Sequence, residues 1–269
     1  MAPARTEHEE FPTAIEEVPV TEERLPFVQK GKGGQEVALK EPGTARANQA
    51  ASVEAPNGTE KDDYARRNKH LSVLQQHCAF FDRDSDGVIV SITLSAFLIS
   101  HVINAFQWPQ DTYIGFRRLA YNPILALIAV FVIHANFSYP TLPNGRFLPD
   151  PFFRLYTENV HKDKHGSDSG TYDHEGRFIP QKFEDIFSKY GSGDKQGITL
   201  RETMNYMKGQ RCIADPIGWG GAFFEWVATW ILLWPEDGRI KKEDVRRIYD
   251  GSLFFEVAAR REGEKEKNQ

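Results

Sequence analysis

The stretch His77-Cys-Ala-Phe-Phe-Asp82-Arg-Asp84-Ser-Asp86-Gly87-Val88-Ile89 constrains this chain more than any other. Asp82, Asp84 and Asp86 alternate, so a backbone curling round one hard cation turns all three carboxylates inward. Gly87 takes the sharp turn that a Cβ would obstruct. This is the first two-thirds of an EF-hand loop: carboxylates at positions 1, 3 and 5, glycine at 6, the Val88 carbonyl at 7 and a β-branched Ile89 at 8. Position 12 breaks the pattern. Thr93 stands where a bidentate carboxylate belongs, and a hydroxyl cannot replace one. Omitting the eighteen residues Val90 to Gln107 lets the text resume as Trp108-Pro-Gln-Asp111, which puts Asp111 at position 12 with a helix pattern after it. The expected calcium ligands are therefore Asp82, Asp84, Asp86, Val88 through its carbonyl, and Asp111.

We read Val90 to Gln107 as a translated intron. Val90-Ser can be encoded GTA-AGT and Phe106-Gln as TTT-CAG, the usual splice signals, and eighteen codons keep the frame. A genuine insertion is the alternative, since Val88 to Phe106 is apolar enough and long enough for a membrane helix. Because the insert enters the ligand set, it is expected to remove Asp111 from the twelfth position and unlink the exiting helix. The chain as written should then bind calcium far worse than a version lacking residues 90–107.

A net charge of −5 and a pI near 5.9, with no basic stripe interleaved with aromatics, give no invitation to nucleic acid. Cys78 and Cys212 make no disulfide scaffold, so a reducing compartment is the default, and the N-terminus lacks the apolar core of a signal peptide. Residues 1–66, rich in Glu, Pro, Ala, Gly and Lys, are expected to be disordered for want of burial to offset chain entropy. Order is expected over 67–260, with a charged tail at 261–269.

The predicted fold is mainly α, built from EF-hand-like helix–loop–helix units. One binds calcium, over 70–121 with the interruption at 90–107, and the others are degenerate. Pro123 to Ile133 is uncharged but too short to span a bilayer. Pro140, Pro143, Pro149 and Pro151 follow within twelve residues, so the chain must turn. We read 123–151 as dipping into one leaflet, suited to a phospholipid monolayer; a core helix followed by a Pro-rich loop is the alternative. Phe183, Ile186, Phe187 and Tyr190 predict a helix from Pro180. The worn loop Gly191–Glu202 is expected to pair with the first loop, and a third worn loop spans Trp234–Asp244. Trp219, Phe223, Trp226 and Trp230 share one helical face, which makes either an interfacial helix or an aromatic core helix.

Leu71-Ser-Val-Leu-Gln-Gln-His77, Phe80-Phe-Asp-Arg-Asp-Ser-Asp-Gly87, Tyr139-Pro-Thr-Leu-Pro143 with the later prolines as a proline knot, Lys164-His165-Gly-Ser-Asp-Ser-Gly-Thr-Tyr-Asp173, Asp215-Pro-Ile-Gly-Trp219 and Asp250-Gly-Ser-Leu-Phe254 occur in this order. Together they resemble the caleosin family, the plant seed peroxygenases and their fungal counterparts. That family's pattern runs straight from the Gly-Val-Ile of the loop to the Trp-Pro. The resemblance implies a protein of lipid droplets and the cytosolic face of the endoplasmic reticulum membrane, holding one calcium ion and a b-type haem. It implies a peroxygenase that passes oxygen from a lipid hydroperoxide to unsaturated fatty acids or other lipids. It also assigns haem binding and catalysis to His77 and His165, with the choice of axial ligand left open, and it implies that the insert weakens haem binding too.

Spacing alone makes His77 a structural residue at a helix end, and gives His161 and His165 half a zinc site with no third ligand. His134 and His174 read as incidental. Association of the chain with copies of itself is left open. The competing function is a non-catalytic, calcium-responsive droplet coat or tether.

Overall fold

The computed structural model describes residues 17, 28–30, 36–90 and 111–267, so all of the expected insert except Val90 lies outside the described residues. The chain is mainly helical, as expected. An N-terminal hairpin, β1 (Val28–Lys30) with β2 (Glu36–Ala38), precedes the short α1 (Tyr64–Arg67). Ser72 opens α2 (Val73–Ala79) with a capping box shared with Gln75, which satisfies two backbone donors reciprocally. The Asp82–Asp86 loop follows, then β3 (Val88–Ile89), α3 (Asp111–Arg118) and α4 (Pro123–Phe137). Pro123 sits at the first helical position of α4 behind Asn122, whose side chain accepts from the Leu125 N–H. After the proline-rich turn come β4 (Leu155–Tyr156) and a 3-10 turn over Thr157–Asp163.

The C-terminal half repeats one plan twice. α5 (Pro180–Tyr190), β5 (Gly197–Thr199) and α6 (Leu200–Gln210) form one unit; α7 (Pro216–Leu233), β6 (Arg239–Lys241) and α8 (Lys242–Tyr249) form the next. The charged tail is helical through Lys267, as the end of α9 (Ser252–Lys267). β5 and β6 pair antiparallel with Ile198 opposite Ile240, both buried. The worn loop at 191–202 thus pairs with the third loop and not, as expected, with the first. The first loop's strand takes a different partner: Val88 lies opposite Tyr156 and Ile89 opposite Leu155. Each pairing buries an aliphatic pair, Ile198 with Ile240 in one cluster and Ile89 with Leu155 in another.

Phe183, Ile186, Phe187 and Tyr190 are buried with Ile198, Ile240 and Val245, as their spacing predicts. Trp226 joins this cluster, and Trp230 packs on it while its indole N–H donates to Thr203 Oγ1 at 3.3 Å. The aromatic face of α7 is therefore divided: Trp226 and Trp230 are core, Phe223 is exposed, and Trp219 packs under Arg211 with its indole N–H donating to the Cys212 carbonyl. Its outward apolar residues are Ile217, Phe223 and Phe224. A second cluster joins Phe80, Leu119, Leu232, Phe254 and Val257, linking the end of α2 to α7 and α9.

The expected disorder of residues 1–66 is overturned for the part from Leu39 onward. Leu39, Ala50, Ala51, Val53 and Tyr64 are buried, and Arg46 bridges Phe178 through its backbone. The Val53 N–H donates to Glu184 Oε1 at 2.9 Å, and buried Arg246 donates to the Ala50 carbonyl at 2.9 Å and to Thr59 Oγ1 at 3.0 Å. A composition rule counts apolar side chains. This segment is held mainly through backbone groups met by buried polar side chains, which composition does not report.

Among the described residues no helix is long and apolar enough to cross a membrane. On α4, Ile124, Leu127, Ile128 and Phe131 are exposed on one face while Ala126, Val130 and His134 are buried. An uninterrupted apolar helix with half its surface outward is neither a core helix nor a span.

Candidate functional site

Gly87 adopts φ +82°, the left-handed turn the loop requires, and the chain then closes on itself. Its N–H donates to Asp82 Oδ2 at 2.9 Å, and the Val88 N–H donates to Asp86 Oδ1 at 2.8 Å. One carboxylate oxygen from each of Asp82, Asp84 and Asp86 lies within 4.8 Å of the others.

Asp111 is brought to this loop. It is 2% exposed, and its Oδ2 accepts from the Val90 N–H at 3.3 Å. Burial pushes its carboxyl up to about 6, reinforced by the nearby charges of Asp84 and Asp82. Asp82 is raised too, chiefly by burial. Asp82 Oδ1 and Asp111 Oδ1 are buried without a hydrogen-bond partner. Gathered like charges and orphaned carboxylate oxygens are what a site for a divalent cation leaves when protein atoms alone are counted.

The insert thus leaves Asp111 beside the loop and α3 packed there, although Asp111 is not part of the group within 4.8 Å that Asp82, Asp84 and Asp86 form. Packing, not chain continuity, sets where α3 begins. Phe81 stacks on Phe116 with centroids 5.5 Å apart, Arg118 lies over the Phe80 ring at 5.1 Å and pairs with Glu262 at 3.0 Å. Thr112, next to Asp111, shares a 2.8 Å hydrogen bond with His134 Nε2, and His134 Nδ1 bonds the Phe153 carbonyl at 2.7 Å. His134 is 2% exposed and burial lowers its pKa, so Nδ1–H donates and neutral Nε2 accepts from the threonine. Far from incidental, it ties the loop-closing helix to the end of the proline-rich turn.

His77 sits half-buried at the end of α2, with its ring edge-on to Phe254 at 5.2 Å. Its Nδ1 lies 2.8 Å from the Ile248 carbonyl, and burial lowers its pKa. A neutral ring donating through Nδ1 keeps the Nε2 lone pair for a ligand. Gly251, at φ +76°, lets α9 start against this turn: a Cβ there would lie 2.5 Å from the Gln76 carbonyl oxygen.

His165 is held differently. Its Nδ1 is 3.0 Å from Asp215 Oδ1, and its Nε2 faces Asp163 Oδ1 at 3.7 Å. Asp215 also caps α7 by accepting from the Gly218 N–H and accepts from the Ser167 N–H at 3.0 Å; hydrogen bonds from Ser167 foremost hold its carboxyl below the usual range. Burial pushes Asp163 up to about 6, with His165 pulling the other way. Among the described residues the two histidines share no partner; the nearest link between their surroundings is indirect. Tyr249 follows the residue that holds His77, and its hydroxyl is 2.9 Å from Ser169 Oγ, four residues beyond His165. Asp163 and Ile248 carried no sequence signal. Asp215 did, because Asp followed by Pro is how a helix starts.

Residues 103–258 match the family described as caleosin related protein. The chain belongs to the caleosin family. It is 35% identical over 242 residues to a protein named peroxygenase from Lilium longiflorum, covering 90% of this chain and 89% of that one. It is 34% identical over 188 residues to probable peroxygenase 4 of Arabidopsis thaliana, covering 70% and 86%. A probable inactive peroxygenase-like protein of the same plant is 35% identical over 150 residues, covering 55% and 69%. No solved structure matches. A caleosin or peroxygenase function is thereby supported, and the family match starts beyond the Asp82–Asp86 loop.

Proposed function

We propose that this caleosin is a calcium-binding, haem-dependent peroxygenase of lipid droplets and endoplasmic reticulum. It would take oxygen from a lipid hydroperoxide and deliver it to unsaturated fatty acids or related lipids. The observation that carries this reading is the pair of imidazoles, each fixed through Nδ1 by a different acceptor, with Nε2 of His77 left for a ligand and Nε2 of His165 facing Asp163. A haem bound here would supply the iron that accepts the hydroperoxide oxygen.

His77 would hold the haem: burial lowers its pKa toward the neutral form a metal ligand needs, and its backbone acceptor fixes the tautomer and ring plane. His165 fits the proton carrier. Asp215 orients its ring through Nδ1, and Asp163, pushed up to about 6, stands 3.7 Å from Nε2 as a second proton holder. It would take the hydroperoxide proton and return it to the alcohol product. The carboxylates of Asp82, Asp84, Asp86 and Asp111 with the Val88 carbonyl fit calcium, and holding it would fix the end of the helix that bears His77. The exposed face of α4 and the proline-rich turn fit a phospholipid monolayer.

The test is a visible spectrum of the purified protein with oxygen transfer from cumene hydroperoxide to oleate. His77→Ala is expected to lose the Soret band. His165→Ala should keep the band and lose turnover by about a hundredfold or more. A colourless wild-type protein sinks the reading. It would favour a non-catalytic droplet coat, a role the probable inactive relative keeps in view.

A further inference from the structure

The turn between α4 and β4 carries Arg146, Phe147 and Leu148 at its tip, with Phe147 82% and Leu148 83% exposed. Behind the tip, Leu142, Gly145, Arg146, Pro149, Asp150 and Arg154 border an open cleft of about 430 Å³. Its two arginines are not alike. Arg154 is neutralised by buried Asp150, with Nη2 2.9 Å and Nε 3.0 Å from the same Oδ2, and its guanidinium lies 5.5 Å from the Phe152 ring centroid. Arg146 has no acidic partner among the described residues and donates one hydrogen bond, to Tyr156 Oη at 3.2 Å. Lys162, bonded to Asn144 Oδ1 at 3.0 Å, adds a second cation near this tip without an acid of its own.

We propose that this cleft is an anionic headgroup site, in which Arg146 binds the phosphate of a phospholipid while Phe147 and Leu148 enter the acyl layer. A guanidinium forks onto phosphate oxygens, and a long basic side chain beside inserted apolar residues keeps its charge at headgroup depth. Asp150 would repel an anion if it were bare, but both its oxygens are taken. Oδ1 accepts from the Phe152 N–H at 2.8 Å, and Oδ2 accepts from Arg154 and, at 2.9 Å, from Tyr156. The apolar residues flanking Arg146 favour a lipid phosphate over a free one. The inference rests on the monolayer-docking reading above and adds the headgroup class.

Vesicle flotation tests it, using phosphatidylcholine alone and phosphatidylcholine with a minor share of phosphatidylglycerol. Wild type is expected to bind the anionic vesicles about fivefold more tightly, Arg146→Gln to lose that increment, and Arg146→Lys to keep most of it. Arg146 is exposed, so the variant should melt with wild type. An increment that survives Arg146→Gln overturns the site. So does loss of the increment in inorganic phosphate at matched ionic strength, which assigns Arg146 to small anions. Binding to neutral vesicles reports the docking reading separately: its absence, in wild type and in Phe147→Ser alike, removes that reading whatever Arg146 does.

Discussion

At Asp111 one carboxylate carries two demands: it is buried beside Asp82 and Asp84, and one of its oxygens has no donor. Its folded pKa of about 6 lies above the ordinary carboxylate value. Its contribution to metal-free stability is therefore present below the unfolded pKa and lost as pH rises through about 6. Calcium reverses the sign, because only the deprotonated form is a ligand. The gain in melting temperature on adding calcium should grow from pH 5 to pH 7. Asp111→Asn should melt higher than wild type in chelator at pH 7, yet bind calcium at least about tenfold more weakly. A calcium increment that ignores pH, or survives the substitution, removes Asp111 from the ligand set. Asp215 offers a cleaner separation. Asparagine caps a helix as well as aspartate does, so Asp215→Asn keeps the start of α7 while taking the carboxylate from His165. Turnover is expected to fall about 10- to 100-fold with little change in melting temperature. A variant that unfolds instead shows that Asp215 serves structure alone.

Among the elements, α3 shows what spacing can and cannot say. That Asp111 lies near Asp82 and Asp84 was legible, because ligand spacing pairs them once residues 90–107 are set aside. What was not legible is how α3 is held there. Loop reasoning makes covalent connection the agent, whereas Phe116 on Phe81, Arg118 on Phe80 and Thr112 on His134 do the holding. His134 illustrates the loss: alone in an apolar run it has no sequence partner, and only folding brings Thr112 and Phe153 to its two nitrogens. The insert should therefore cost chain entropy and not ligands. Lengthening the connection from Ile89 to Asp111 by eighteen residues is worth about 2 kcal/mol of loop closure. Joining Ile89 to Trp108 is expected to raise stability by about that much in a denaturant titration. Calcium titrations of the two folded forms should nearly coincide. A large gap in affinity would restore the view that continuity sets the site.

The whole molecule is larger than its motifs suggested. The mainly helical fold class, the turn at Asp82–Gly87 and the helix at Pro180 could be read from periodicity and spacing. The partnering of the loops could not, since it depends on which β-branched pair is buried. Nor could the N-terminal strap, whose hold is a set of polar contacts from α5 and α8. Glu184 pairs with Lys242 in the interior and takes the Val53 N–H. Arg246 meets Asp250 at 3.2 Å and also the Ala50 carbonyl and Thr59, while Thr59 reaches Asp250 at 2.6 Å. Removing the strap would leave these buried groups short of partners, and each one left unmatched costs about 1–3 kcal/mol, more for a charge. With a typical domain only 5–15 kcal/mol stable, a chain starting at residue 67 should not fold cooperatively. A chain starting at residue 36 keeps Leu39, Ala50, Val53 and Thr59, and should melt within a few degrees of the full length. Thermal melts of both decide it: a stable chain from 67 would mean the strap rides on the core without supporting it.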